Sequence, residues 1–546
     1  MRSRRTLRCL VCVQVVLLVV FAGVSVRAAR GSEIGHARKS VRHVVVIFQE
    51  NVSFDHYFGT YPHALNPPGE PAFTPLANTP AVDGYTDELL HRNPNFLNAA
   101  NGAGRANPFR LDRSQAATAD QDHDYHAEQQ AFDGGKMNLF PRSVGHPDGP
   151  RMPGENKGVA KTSGLTMGYF DGNTVTAYWN YAQHYAMSDR QFDVSYGPST
   201  PGAINLASGQ TNGAVNDQNA EGGVVPDGNG GLTLISDPQP SGDVCSSTSD
   251  ALVHMTGRNI GDLLTEHNVS WGFFQGGFDL TIVNPNGTTG CRRSSRSPWT
   301  HALVRDYLPH HEPFQYYRST ANPKHIRPAS AAVVGSNHDG GANHQYDVHD
   351  FFDAIKAGNF PTVSYLKAPA YEDGHSGYSS PLDEQQFVVR VVNFLEQQKD
   401  WKDTVVIVAY DDSDGWYDHR MMRPRNGSQT AMDALDGPGR CDDGDKALGG
   451  VNQATKHAQG RCGPGPRLPL LVISPWSKAN YVDHTETDQT STLRFIEDLY
   501  LHGERIGGGS FDARAGSLMG MLDFSKRQPQ NEAPLILDPN TGLEKK

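Results

Sequence analysis

Four short, almost unbroken apolar runs constrain the fold of this chain more than any other feature: HVVVIFQ (43–49), PTVSYLK (361–367), TVVIVAY (404–410) and LPLLVIS (468–474). A strand with one wet face alternates apolar and polar residues, whereas a continuous run needs cover on both faces, as in a parallel sheet flanked by helices. The intervening segments supply that cover. In DEQQFVVRVVNFLE (383–396), Phe387, Val388, Val391 and Leu395 share one helical face, with Asp383 placed to cap and Arg390 and Glu396 turned to water. In DQTSTLRFIEDLY (488–500), Leu493, Ile496 and Tyr500 do the same behind Asp488. Both read as crossover helices, and the fold class expected is α/β with parallel strands. At 546 residues the chain exceeds one simple core. Segments 62–165 and 210–345 are rich in Gly, Asn, Pro and Asp without a sustained period. They read as long loop insertions in one domain over about residues 40–525, followed by an irregular tail over 526–546.

Residues 1–28 have a basic start, an apolar centre and small residues at the end, the pattern of an export signal peptide. Arg4-Arg5 in SRRTLR makes a twin-arginine route as probable as ordinary secretion. The apolar run is short for a stable membrane anchor. Removing the signal deletes five arginines and no acid, taking the formal charge from −12 to −17, which argues against nucleic acid as a partner. Cys245, Cys291, Cys441 and Cys462 remain for an oxidising compartment. Chain order favours Cys245 with Cys291 and Cys441 with Cys462, one of three connectivities; a four-cysteine zinc site lacks any CxxC pair.

The acids stand where α/β sheets place ligands, at the carboxyl ends of strands. Glu50 and Asn51 follow the first run, and Asp411 and Asp412 follow the third. Each pair offers oxygen ligands, and a divalent cation would compensate charges that otherwise repel. One pair alone would read as turn capping; two shift the balance to metal. In SYGPSTPGAINLASGQ (195–210), Ser199 and Thr200 precede a proline suited to a first helical turn. A hydroxyl there meets the positive end of a helix and, beside a cation, becomes a nucleophile for phosphoryl transfer, although capping is the commoner role of such a residue. His123, His126, His310, His311 and His375 lie in polar loops and can bind phosphate oxygens or protonate a leaving group; His419 and His484 are weaker candidates.

These residues belong to stretches that resemble a known family. ENVSFDHYFG, HDYHAEQQAFDGGKMNLF, SDRQFDVSYGPSTPGAINLASGQ, EDGHSGYSS, VAYDDSDGWYDH and RLPLLVISPW followed by DQTSTLRFIE are colinear with the bacterial phosphoesterase family of secreted acid phosphatases and phosphatidylcholine-type phospholipases C, over roughly residues 40–500. The resemblance implies an alkaline-phosphatase-like α/β/α sandwich. It also implies a metal shell of Glu50, Asn51, Ser199, Asp411 and Asp412, a Ser199 nucleophile, and phosphoryl contacts from His123, His375 and a histidine of HHEPF, with His311 favoured. Val52 stands where the family often has arginine, and GPSTPGA where the phospholipase branch commonly has GPTWPNR, which leans toward the acid phosphatase branch. The reading that follows is a metal-dependent acid phosphatase acting on phosphomonoesters through a phosphoserine. The alternative is a phospholipase C cleaving a phosphodiester, whose choline group would call for an aromatic cage, with Trp179, Trp271, Tyr316 and Tyr317 as candidates. A structural, metal-stabilised binding protein is the reading from another class, and a sulfatase lacks its cysteine-based motif. Calcium, magnesium and zinc all suit the ligand types. The sequence leaves oligomeric state open.

Overall fold

The computed structural model describes residues 33–148, 157–445, 459–526 and 528–545. The export-signal reading, with Cys9 and Cys12, lies outside them. A nine-stranded sheet forms the centre: β1 (His43–Gln49), β2 (Ala186–Phe192), β3 (Trp271–Gln275), β4 (Gln345–Tyr346), β5 (Val363–Lys367), β6 (Thr404–Tyr410), β7 (Arg467–Ile473), β8 (Tyr481–Asp483) and β9 (Thr487–Asp488). Their order is β4-β3-β5-β1-β6-β7-β2-β8, with β9 also paired to β2. All run one way except β7, which is antiparallel to both β6 and β2. The expectation of a mostly parallel sheet therefore holds, but the parallel reading of 468–474 is corrected. A run buried on both faces looks the same whichever way it points.

The apolar runs are continuous because both faces are covered. Along β1, Val45 and Ile47 enter one core and Val44, Val46 and Phe48 the other. Helices α1 (Thr176–His184), α2 (Ser199–Ser208), α3 (Ile260–Glu266), α4 (Val348–Lys356), α5 (Pro381–Glu396) and α6 (Thr490–Tyr500) divide between them. The core with Val45 takes residues of α1, α4 and α5, and that with Val44 takes residues of α2, α3 and α6.

α5 crosses from β5 to β6, as expected. It starts two residues earlier than Asp383: Ser380 is the cap, accepting the Asp383 N–H at 3.3 Å. Glu396 is not turned to water. It is buried and accepts the Tyr185 hydroxyl at 2.6 Å. Asp488 does receive the Thr490 N–H at the start of α6 (2.9 Å), but among the described residues no sheet strand follows α6, so it is not a crossover helix. The two disulfides pair Cys245 with Cys291 and Cys441 with Cys462. Segment 210–345 contributes β3 to the sheet, and just after α2 it forms a separate five-stranded sheet from strands between Asn212 and Met255. Among the described residues no helix is long and apolar enough to cross a membrane.

Candidate active site at the carboxyl ends of the strands

Strand register explains how distant acids meet. β1 and β6 pair in parallel with Gln49 opposite Tyr410, so the residues that follow, Glu50 and Asp411, leave the sheet side by side. The Asn51 N–H donates to Asp411 Oδ1 (3.1 Å), with Asn51 in the left-handed region at φ 58°. Ser199 opens α2, and its Oγ donates to Glu50 Oε2 (3.1 Å) and Asn51 Oδ1 (3.4 Å). Gly202, one turn into α2, lies so close to β6 that a Cβ would collide with the Asp411 carbonyl oxygen. The GPSTPG sequence thus lets the helix N-terminus press against the acid pair. Asp237, in a loop between two strands of the small sheet, accepts the Thr200 N–H at 2.8 Å. Glu128 accepts from Gly197 N (3.0 Å) and Ser413 Oγ (2.7 Å), tying the serine loop to the turn after Asp412.

The histidines fall into two groups. His123 and His375 stand with ring centroids 6.1 Å apart, and with Asp120 they bring ligand atoms within 4.8 Å of one another. His123 Nε2 is 3.4 Å from the Asn51 amide nitrogen, and its Nδ1 donates to Gln121 O at 2.8 Å. Burial lowers its pKa, but Asp412, Asp414 and Asp120 outweigh that and hold it well above the ordinary value. His311 sits elsewhere: its Nδ1 is 3.1 Å from Glu50 Oε1 and 3.8 Å from Asp373 Oδ2, and its buried Nε2 has no partner. Burial keeps it neutral, beyond what Glu50 can offset. His310 packs edge-on against His311 at 4.3 Å. His126 donates to Met432 O, His419 pairs with Asp55, and His484 pairs with Asp189, so none of these three joins the cluster.

Sequence reasoning missed Lys367, Asp373, Glu128 and Asp237. Lys367 ends β5, fully buried, with Nζ against Glu50 Oε1 and 3.3 Å from Asp411 Oδ2. Its charge survives because Asp411 and Glu50 override the desolvation cost, and Glu50 is held below the carboxylate range by His311 and then Lys367, which outweigh burial. Asp373 was within a quoted motif, EDGHSG, but passed over beside His375.

One lysine does not neutralise this cluster. Burial, then Glu50, raises Asp411 well above the carboxylate range, and burial lifts Asp412 to about 6. Asp412 Oδ2 is buried without a partner. The Asn51 amide oxygen lies 3.2 Å from Asp411 Oδ1, oxygen facing oxygen, which a cation between them or a turned amide would relieve. This donor set fits a divalent cation, and Glu50, His311 and Asp373 form a second possible ligand group alongside it. Val52 is buried in the core. So are Trp179 and Trp271, on opposite faces of the sheet, while Tyr316 and Tyr317 pack in a cluster with Ile204; the expected aromatic cage is not built from these four.

The Phosphoesterase family model matches residues 41–501. Among curated relatives, the chain is 25% identical over 470 residues to a non-hemolytic phospholipase C of Pseudomonas aeruginosa, covering 85% of this chain and 54% of the relative. It is 24% identical over 473 residues to phospholipase C B of Mycobacterium tuberculosis (84% of this chain, 72% of the relative). A hemolytic phospholipase C of P. aeruginosa is 23% identical over 510 residues (91% and 58%). The chain thus spans little more than half the length of the two Pseudomonas relatives.

Proposed function

The chain belongs to the phosphoesterase family, and from that premise we propose that it hydrolyses phosphoric esters through a phosphoserine at Ser199, with the phosphodiester of a phospholipid as the substrate class. The observation that carries the chemistry is Ser199 Oγ at the tip of a ten-residue helix, 3.1 Å from Glu50 Oε2. The names of the relatives favour the diester, reversing the order drawn from sequence. Glu50, Asn51, Ser199, Asp411 and Asp412 would hold a divalent cation, which when bound stabilises a serine alkoxide and charge on phosphorus. Calcium, magnesium and zinc remain the candidates.

In this mechanism Ser199 Oγ releases its proton to Glu50 and bonds to phosphorus as the ester oxygen departs in line. His123 or His375 gives that oxygen a proton, and the positive end of α2 stabilises charge on the phosphoryl oxygens. Water then attacks the phosphorylated serine, the same histidine takes its proton, and the P–Oγ bond breaks as Glu50 returns its proton to Oγ. The neutral, Glu50-bound His311 serves this scheme as a positioning residue rather than the acid.

The same reading includes an alkaline-phosphatase-like sandwich, insertions at 62–165 and 210–345, and export behind residues 1–28, the last supported by two disulfides. The monoester reading retains one observation in its favour: all four aromatic candidates for a choline cage are core residues. Turnover of p-nitrophenyl phosphorylcholine against p-nitrophenyl phosphate between about pH 5 and 7 separates the two. Faster diester cleavage is expected; a clear preference for the monoester restores the acid phosphatase.

A further inference from the structure

Residues 280–305 carry four arginines and no acid, in a chain with 60 acids against 48 Lys and Arg. Part of this stretch is a two-stranded hairpin, Ser294–Arg296 antiparallel to Leu303–Arg305, closed by the turn SPWTHA. Arg293 is buried and neutralised by Asp306 (3.1 Å) and Asp347 (3.2 Å). Arg292, Arg296 and Arg305 are exposed and, among the described residues, form no ion pair. Beside them Trp299, Leu303 and Val283 are 38%, 56% and 64% exposed. Water gives no reason to display an indole and two aliphatic chains in a cationic frame on an acidic protein.

The hairpin is also fixed to the candidate active site. Ser297 Oγ donates to Asp383 Oδ2 (2.8 Å) and Thr300 Oγ1 to Tyr378 O (2.8 Å), and the Arg113 guanidinium lies over the Trp299 ring at 5.4 Å. The Tyr378 ring stacks on His375 at 4.4 Å, and the second strand runs on through Tyr307 to His310 and His311. The hairpin is therefore built onto the two segments that carry His375 and His311.

We propose that this hairpin docks the protein on an anionic lipid bilayer, with Trp299 and Leu303 entering the headgroup layer and Arg292, Arg296 and Arg305 facing lipid phosphates. Indole rings favour that interface, and arginines reach its phosphates from an apolar surface. Charge selects the partner: a cationic patch on a net-negative protein is drawn to a negative surface, about fivefold in partitioning for each arginine near it. The proposal gains its purpose from the lipid-ester reading, but binding is measured without turnover, so the two fail separately.

The test is co-sedimentation of the full chain bearing Ser199→Ala with vesicles of phosphatidylcholine alone or with about a third phosphatidylserine. Binding should be tighter to the anionic vesicles and weaken with salt. The triple change R292E/R296E/R305E should lower it on the order of a hundredfold, and Trp299→Ala or Leu303→Ser should weaken it on both vesicle types. With Ser199 intact, the same variants should keep full turnover of a soluble chromogenic phosphoester. Should the triple variant not fold, the single changes Arg292→Glu, Arg296→Glu and Arg305→Glu carry the same expectation, each on the order of fivefold. Equal binding to both vesicle types, or binding unaffected by the changes, overturns the docking surface. Absent turnover of every soluble ester by the unmodified chain would overturn the hydrolase reading and leave docking to the vesicles.

Discussion

At the end of β5, Lys367 places a buried positive charge between Glu50 and Asp411. Removing one partner of a buried charge cluster strands the others, at about 3–5 kcal/mol. Lys367→Met should therefore lower the melting temperature markedly, and an added divalent cation should restore part of the loss, read by calorimetry with and without metal. An unchanged melting temperature would mean the carboxylates are already neutralised otherwise. This lysine was not legible in PTVSYLK, because a lysine closing an apolar run normally marks the return to solvent. Glu50, Asn51, Asp411 and Asp412 were legible because costly polar groups stood directly after strands that had to be buried. Glu128 was not, since an acid on a short helix announces a solvated face until its partners Gly197 and Ser413 are seen.

Among the elements, the contact of α2 with the end of β6 decides where the nucleophile stands. Adding a methyl at Gly202 must push α2 from Asp411, at about 1–3 kcal/mol for overpacking. Since a shift of about 1 Å can cost on the order of a hundredfold in rate, Gly202→Ala should lower kcat about that much. Steady-state kinetics with a melting curve checks this, and unchanged kcat would show that Ser199 is positioned by something else. β1 and β6 were readable as strands because helices cover both their faces. β2, AMSDRQF, was not: Ser188, Asp189 and Gln191 are buried by local pairing, as when Asp189 accepts the Asp83 N–H at 2.8 Å. β3 has five residues, too few to show a period, and the direction of β7 is set by its neighbours rather than by its composition.

The molecule as a whole buries many carboxyls that resist ionisation. Burial lifts both Glu384 and Glu396 from 4.5 to about 7. An acid whose folded pKa is raised contributes stability fully present below its unfolded pKa and lost as pH rises through the folded value. Melting temperature should thus fall between pH 4.5 and about 7. His419, held at about 10 by Asp55 and Asp83 despite burial, adds loss of the same sign at higher pH. Glu384→Gln should flatten the acid-side slope; a melting temperature that rises across that interval would contradict the assignment. These polar cores were invisible in sequence, where composition gives charge but not partners.

The central claim is that acids from β1 and β6 prime Ser199 to accept a phosphoryl group. Its most direct test is denaturant quenching at neutral pH of the full chain during turnover of p-nitrophenyl phosphorylcholine or p-nitrophenyl phosphate, followed by peptide mass spectrometry. The account predicts phosphorylcholine from the diester, or phosphate from the monoester, on Ser199 and on no other residue, and neither label nor turnover in Ser199→Ala. Phosphate on a histidine, or undiminished hydrolysis by that variant, would contradict it.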